Sequence, residues 1–364
     1  MADGFLLSRV LLKFESESED LLGELSAIAR TPDGSLWVGS DEFITLERLT
    51  PMGDSVYGNH TTFHLNDFLE LFDNDSEIDI EGISYADGYL WLTGSHSFKR
   101  NKAKGKKQKK DIARLSEIEH DPNRYLLARL PVLNGEILHT YAQSDDDGNA
   151  LTAASLQKVD GHNLLMETLA EDEHLGVFLK MRLPSKDNGF DIEGLAVHGD
   201  RIFLGLRGPV LRGWAVILEI EVEQTEPGVL ALKELDDGVF YRKHFLDLNG
   251  QGIRELCFHD EDLIVLAGPT MALEGTMQMF RLEDVLDNEH NTLWSQDSGK
   301  LHVLFELPFT LGGDHAEGLT LFPCLGYDDG LMVIYDSPHP SRRPSKQTVF
   351  ADVFQLPNTS INED

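Results

Sequence analysis

Ser185–Trp214 reads SKDNGFDIEGLAVHGDRIFLGLRGPVLRGW. Ile192–Val197 is a short, mostly apolar run, His198-Gly199-Asp200 is a polar turn, and Arg201–Leu206 is a second run. Two such runs across a short glycine-containing turn spell an antiparallel β-hairpin. Asp191 and Glu193 sit where the first strand enters, and Arg207 and Arg212 follow the second. Charge at the ends of an otherwise buried hairpin is costly unless it is paired, solvated or used.

The same pattern occurs four more times. The copies are LSAIARTPDGSLWVGSDE (25–42), IEGISYADGYLWLTGSHS (80–97), IRELCFHDEDLIVLAGP (253–269) and AEGLTLFPCLGYDDGLMVIYDSP (316–338). Superposing them aligns Ser26, Glu81, Glu193, Arg254 and Glu317 on the first strand. Ser40, Ser95, Arg207 and Gly268 align fourteen residues later, with Asp336 in that slot of the longer fifth copy. Successive first-strand positions are 55, 112, 61 and 63 residues apart. A strand–turn–strand unit with a period of about 60 predicts an all-β fold, a β-propeller.

The runs FITLERL, WAVILEIEVE, TMQMFRLE and TVFADVFQL bring each blade to about four strands. The last blade lacks an outer strand, which Phe5–Phe14 would supply by closing the ring. The doubled interval is either a degenerate sixth blade or a partly helical insertion near 100–175; Asn149–Glu171 alternates poorly and looks helical. Five blades are expected, with six as the alternative, in a single domain over residues 1–364 with a polar tail at 357–364.

Lys plus Arg number 31 against 63 Asp plus Glu, a formal charge of −32. Such a surface repels nucleic acid and anionic lipid and enriches divalent cations. Cys257 and Cys324 lie in apolar runs and read as core thiols of a reducing compartment. No leader pattern and no run long enough to span a bilayer is present, so a soluble cytoplasmic protein is expected. Lys99–Lys110, KRNKAKGKKQKK, has no apolar face and is expected to be a disordered loop on blade two. It either rests on the protein's own acidic surface or serves as a polyanion-binding arm, though it lacks interleaved aromatics. GxSxG, GK[ST], HExxH and CxxC signatures are absent.

The segments KDNGFDIEGL, LGLRGPVLRGWAV, LDLNGQGIREL and TGSHS resemble the propeller family designated domain of unknown function 3616, over roughly Leu25–Asp336. A looser similarity extends to esterase-like phytase propellers. The resemblance implies the fold and leaves the activity open. Ser26 and Arg254 stand where the other three copies carry Glu, so a symmetric ring of carboxylates is not implied.

First strands of propeller blades line the central channel, and functional groups gather at one mouth. The alignment therefore converges Glu81, Glu193, Glu317 and Arg254, with Asp79, Asp191, Asp314 and His315 just before their strands. Asp41, Glu42, His96, Arg207 and Asp336 return to the same mouth. Glu81, Glu193 and Glu317 form a candidate hard-oxygen site for Ca²⁺ or Mg²⁺; the structural alternative is pairing with Arg207 and Arg254. His96 and His315 are candidate proton carriers, while Arg207 and Arg254 could stabilise developing negative charge. Asp191, Arg207, Arg212 and Asp336 are candidate ligand-binding groups. Asp145–Asp147 invites a calcium reading but lacks EF-hand spacing. Two functions fit: a metal-assisted hydrolase of a small anionic ester, or a non-catalytic propeller that senses a ligand or binds a protein.

Overall fold

A computed structural model describes residues 4–15, 21–74, 76–144 and 150–357. All five expected hairpins form. They pair Leu25–Arg30 with Leu36–Ser40, Ile80–Ala86 with Tyr89–Gly94, and Asp191–His198 with Arg201–Gly208. Gly252–His259 pairs with Asp262–Gly268, and His315–Leu321 with Gly330–Asp336.

Each hairpin grows outward into a β-sheet. Thr45–Gly53 and Val56–His64 extend the first, and Leu127–Leu133 and Ala154–Leu156 the second. Trp214–Glu226 and Arg242–Asp247 extend the third, and Gln278–Leu282 and Leu301–Glu306 the fourth. In the fifth, Thr348–Gln355 is followed by the N-terminal strand Leu6–Lys13, with Val10 opposite Ala351. The expected closure by the N-terminal strand is therefore present, and it leaves no free outer edge on that sheet.

The first strands of the hairpins pack side by side in chain order, and the fifth returns to the first. Five apolar clusters fill the spaces between neighbouring sheets. One around Trp37, Ile80 and Leu90 joins the first two, and one around Ile253, Phe280 and Ala215 joins the third and fourth. Strands with one face against each neighbour alternate poorly in polarity, which is why these first strands read as nearly continuous apolar runs. The result is a β-propeller.

Among its described residues the long interval carries no inner strand, and Ile80–Ala86 packs directly on Asp191–His198. Its contents are outer strands of the second sheet and short helices, Leu164–Leu169 and Gly176–Met181. Asn149–Glu171 is helical only in part: Ala150–Thr152 and Ala154–Leu156 are strands. The basic run departs from the expected disordered loop. Lys99–Arg100 pairs with Ile118–Glu119, and Gln108–Arg114 is helical. Ion pairs hold its base, Lys99 to Glu77 at 2.8 Å and Arg100 to Asp187 at 2.7 Å, and the Asp111 carboxylate accepts the backbone N–H of Lys104 and Lys107.

Cys324 is buried, Cys257 is half-buried, and both are free. No described helix is long and apolar enough to cross a membrane. Asp145–Asp147 and residues 358–364 of the tail lie outside the described residues.

Candidate functional site at the channel mouth

The five aligned positions share a backbone feature that gives them their direction. Each is skipped by its hairpin's ladder. The register runs from Leu25–Ser40 to Ala27–Gly39, from Ile80–Gly94 to Gly82–Thr93, and from Ile192–Leu206 to Gly194–Gly205. It then runs from Ile253–Ala267 to Glu255–Leu266, and from Ala316–Tyr335 to Gly318–Ile334. Ser26, Glu81, Glu193, Arg254 and Glu317 are thus the extra residues of five β-bulges, a device that re-aims a side chain out of the ladder. In the third hairpin the ladder also skips Arg207, across from Asp191 and Ile192, and its guanidinium reaches Glu193.

The glycine after three of these residues has its own cause. A Cβ on Gly82 would stand 2.6 Å from Leu195 Cβ, and one on Gly194 would stand 2.8 Å from Leu256 Cγ. The neighbouring first strand therefore comes close enough to exclude a side chain. Glu255 occupies this slot in the fourth hairpin and is fully buried. Its Oε1 accepts the N–H groups of Leu195 (2.9 Å) and Leu256 (2.8 Å). Burial pushes this carboxyl well above the usual carboxylate range despite those two bonds.

Around the mouth, cations and anions alternate. Arg207 joins Asp191 (2.5 Å) to Glu193, and Arg254 joins Glu193 (3.0 Å) to Glu317. Arg124, from the turn Pro122–Tyr125, joins Asp79 (2.8 Å) to Glu77 (2.6 Å). Burial disfavours each guanidinium, but the flanking carboxylates outweigh it and keep all three charged. Every one of these arginines is therefore committed to two carboxyl groups.

The remaining acids are in surplus. Asp41 Oδ1 is buried and accepts no hydrogen bond. Burial, followed by the charges of Asp79, Glu24, Asp336 and Glu42, pushes the Asp41 carboxyl up to about 8. Glu24 is pushed up to about 7 by burial and then by Asp336 and Glu42. Glu81 is driven well above its usual range by burial, with Asp79, Glu193 and Glu317 adding to it. Asp191, although paired with Arg207, is also pushed up to about 7, because burial outweighs that arginine.

Asp336 goes the other way. Burial would raise it, but His315 and a hydrogen bond from Ser337 Oγ (3.0 Å) hold it below the usual value. His315 Nδ1 lies 3.7 Å from Asp336 Oδ2, an ion-pair distance, and that carboxylate raises the imidazole.

Several expectations change. Arg254 lies between Glu193 and Glu317, so two of the three expected metal ligands already hold a cation. Among the described residues no three His, Cys, Asp or Glu side chains are arranged to hold an ion. The Glu81–Glu193–Glu317 set does not fit Ca²⁺ or Mg²⁺. His96 is fully buried, its Nδ1–H donating to the Gly94 carbonyl (2.8 Å) and its Nε2 meeting Asn163 (2.8 Å). Burial lowers it to about 4, and it braces Asn163 rather than reaching the channel. Arg212 is exposed in the turn closed by Leu211 and Trp214, outside the ion-pair chain.

Asp191, Arg207, Arg254, His315 and Asp336 do gather at the mouth, with Glu81, Glu193 and Glu317. Glu24, Glu77, Arg124 and Glu255 were not foreseen. For Glu255 the signal was present, a charged residue where three sister copies have glycine. For Arg124 there was none, because it lies outside the repeat.

The shift at Asp41 yields a stability test. Its folded value of about 8 lies above the ordinary aspartate value of 3.8. The raised group is therefore harmless below about 4, and it subtracts stability increasingly as pH rises toward about 8. Asp41→Asn should gain on the natural protein over that interval in thermal unfolding. A constant difference from pH 4 to pH 8 would show that the carboxyl is not buried as described.

These features define a class: a β-propeller with bulge-directed charges and an acid-rich channel mouth. The chain belongs to the family described as "Protein of unknown function (DUF3616)", whose model matches residues 24–352. No curated protein matches it. Among solved structures, the calcium-binding protein regucalcin from Agrobacterium tumefaciens is 10% identical, with 99% of this chain and 100% of that one covered and a TM-score of 0.39. Virginiamycin B lyase from Staphylococcus aureus is 11% identical, with 97% and 75% covered and a TM-score of 0.33. A glucose dehydrogenase is 12% identical, with 91% and 81% covered and a TM-score of 0.36.

Proposed function

We propose that the chain is a five-bladed propeller whose channel mouth binds a small, positively charged molecule and releases a proton as it does so. Five blades are supported by the closed order of the five first strands and by the absence of an inner strand in the described part of the long interval. The ligand's charge follows from the inventory at the mouth. An anion would have to displace a carboxylate from Arg207, Arg254 or Arg124, which already bind two each. A cation meets the unpaired carboxyls of Asp41, Glu24 and Glu81 instead.

The observation that carries this reading is the buried Asp41 Oδ1 without a partner, in a cluster too negative to ionise fully. A buried polar atom left unsatisfied costs about 1–3 kcal/mol, and a bound cation would offset part of that cost by stabilising the carboxylate. An arriving ammonium group favours the charged form of Asp41, so binding releases the proton. Tetramethylammonium or butylammonium should raise the melting temperature, and inorganic phosphate at equal ionic strength should not. Stabilisation by phosphate alone would reverse the assignment.

One further reading has its own support. Asp41 keeps a proton near neutral pH while Asp336 is held ionised by His315. Carboxyl groups pushed apart in this way suit acid and base roles. In a hydrolase, Asp336 would take a proton from the attacking water and Asp41 would give one to the departing alcohol. The substrate would then be a cationic or neutral ester rather than the anionic ester expected from Arg207 and Arg254. Hydrolysis of acetylcholine, lost in Asp41→Asn, would favour this reading, and hydrolysis of p-nitrophenyl phosphate alone would exclude it.

A further inference from the structure

Beside the mouth, two loops of the fourth and fifth sheets face each other across a hollow. Gly275, Met277, Leu307, Phe309, Gly313 and His315 are among the residues that line it. Phe309 lines the hollow and is half exposed, and the same two loops carry further large apolar side chains in water, Met271 and Leu273 on one and Leu311 on the other, the last 77% exposed. Scattered surface leucines are ordinary, but four large apolar groups on two apposed loops mark a contact surface. Glu274 ties the banks together, its carboxylate 3.8 Å from His315 Nε2 and accepting the Gly312 N–H at 3.3 Å.

His315 belongs to both places. Its Nε2 side faces Glu274 at the hollow, and its Nδ1 faces Asp336 at the mouth. The next bulge residue, Glu317, is two positions further along the same strand. Asp314, which also lines the hollow, is not free to take a charge: Arg342 (2.9 Å) and the His339 N–H (2.7 Å) occupy it. The hollow is thus apolar beyond His315 and anionic on the His315 side.

We infer that the hollow seats the apolar part of the molecule whose cationic head enters the mouth, so that the ligand is an amphipathic ammonium compound. This rests on the cationic reading of the mouth. The apolar banks supply affinity by burial, and Asp336 with the surplus carboxyls supplies charge complementarity. Neither alone selects the class: an apolar tail without charge has no partner at Asp336, and a bare ammonium leaves the banks wet.

Calorimetric titration with tetramethylammonium and hexyltrimethylammonium separates the two claims. A buried methylene contributes about fourfold in affinity, so with two or more methylenes covered the hexyl compound should bind at least about tenfold more tightly. Phe309→Ser should remove most of that advantage and leave tetramethylammonium unchanged, whereas Asp336→Asn should weaken both. If tetramethylammonium binds and the hexyl compound binds no more tightly, this inference falls and the cationic mouth stands. The same holds if Phe309→Ser leaves the advantage intact. If neither compound binds, both fall.

Discussion

Arg254→Ala should lower the unfolding free energy by about 3–5 kcal/mol at neutral pH, the loss found when one partner of a buried ion pair is removed. Arg254 is almost fully buried and is the cation through which Glu193 and Glu317 share one end of the channel. After its removal Glu193 retains Arg207, but Glu317 has no cation and remains buried. The pH dependence follows from Glu317, whose carboxyl is already driven well above the ordinary glutamate value of 4.5 by burial even with Arg254 beside it. Without Arg254 its folded value rises further. A raised acid subtracts stability above its unfolded value and nothing below it. The deficit of the variant should therefore be largest near pH 8 and shrink as pH falls toward 4.5. Urea unfolding at pH 5 and pH 8 measures this, and equal losses at both would mean that Arg254 acts only through packing. Replacing Arg254 and Glu317 together by methionine should recover much of the loss, since apolar groups need no partner.

Gly252→Ala should be comparably damaging for a different reason. A Cβ at residue 252 would lie 2.0 Å from the Arg207 carbonyl oxygen, 2.8 Å from its carbonyl carbon and 3.0 Å from its Cα. All three are backbone atoms of the neighbouring blade, so no rotamer change relieves the overlap. The second strand of the third hairpin and the first strand of the fourth must separate at the point where Arg207 and Arg254 meet Glu193. Overpacking of this kind costs about 1–3 kcal/mol where side chains can yield and more where they cannot. A loss of about 3 kcal/mol or more is expected in denaturant unfolding. Gly53→Ala is the control, because nothing lies within 4 Å of its Cβ position, and it should stay within about 0.5 kcal/mol of the natural protein. Equal behaviour of the two would show that the strands are not as close as described.

Much of the architecture could be read from the chain because each hairpin is local. Turn residues such as Asp33-Gly34 and Asp87-Gly88 stand between runs of strand-forming residues, and the fixed fourteen-residue offset aligns one copy with another. The same alignment found the five channel positions. It did not show why they point inward, since a bulge is a change of register between strands and leaves no mark in residue type apart from the glycine that follows.

The pairing at the mouth was less legible. Arg254 and Glu317 are 63 residues apart and meet only because consecutive blades are adjacent. From the sequence, three glutamates on one ring looked like metal ligands; the arginine in the fourth copy was the residue that decided against this. Arg124 was invisible for a further reason: it enters from the long interval between the second and third hairpins, outside the aligned repeat. His96 illustrates the opposite error. Its place after a second strand suggested the mouth, but its backbone turns at φ 54° and the ring faces inward to Asn163.

The central claim is that the arginines at the mouth are spent and a protonated Asp41 awaits a cation. Tetramethylammonium binding at pH 7, measured by calorimetry in two buffers of different ionisation enthalpy, tests it most directly. Release of a large fraction of one proton per ligand is expected, and Asp41→Asn should reduce it markedly. Binding without proton release, or binding of inorganic phosphate in place of the ammonium, would contradict it.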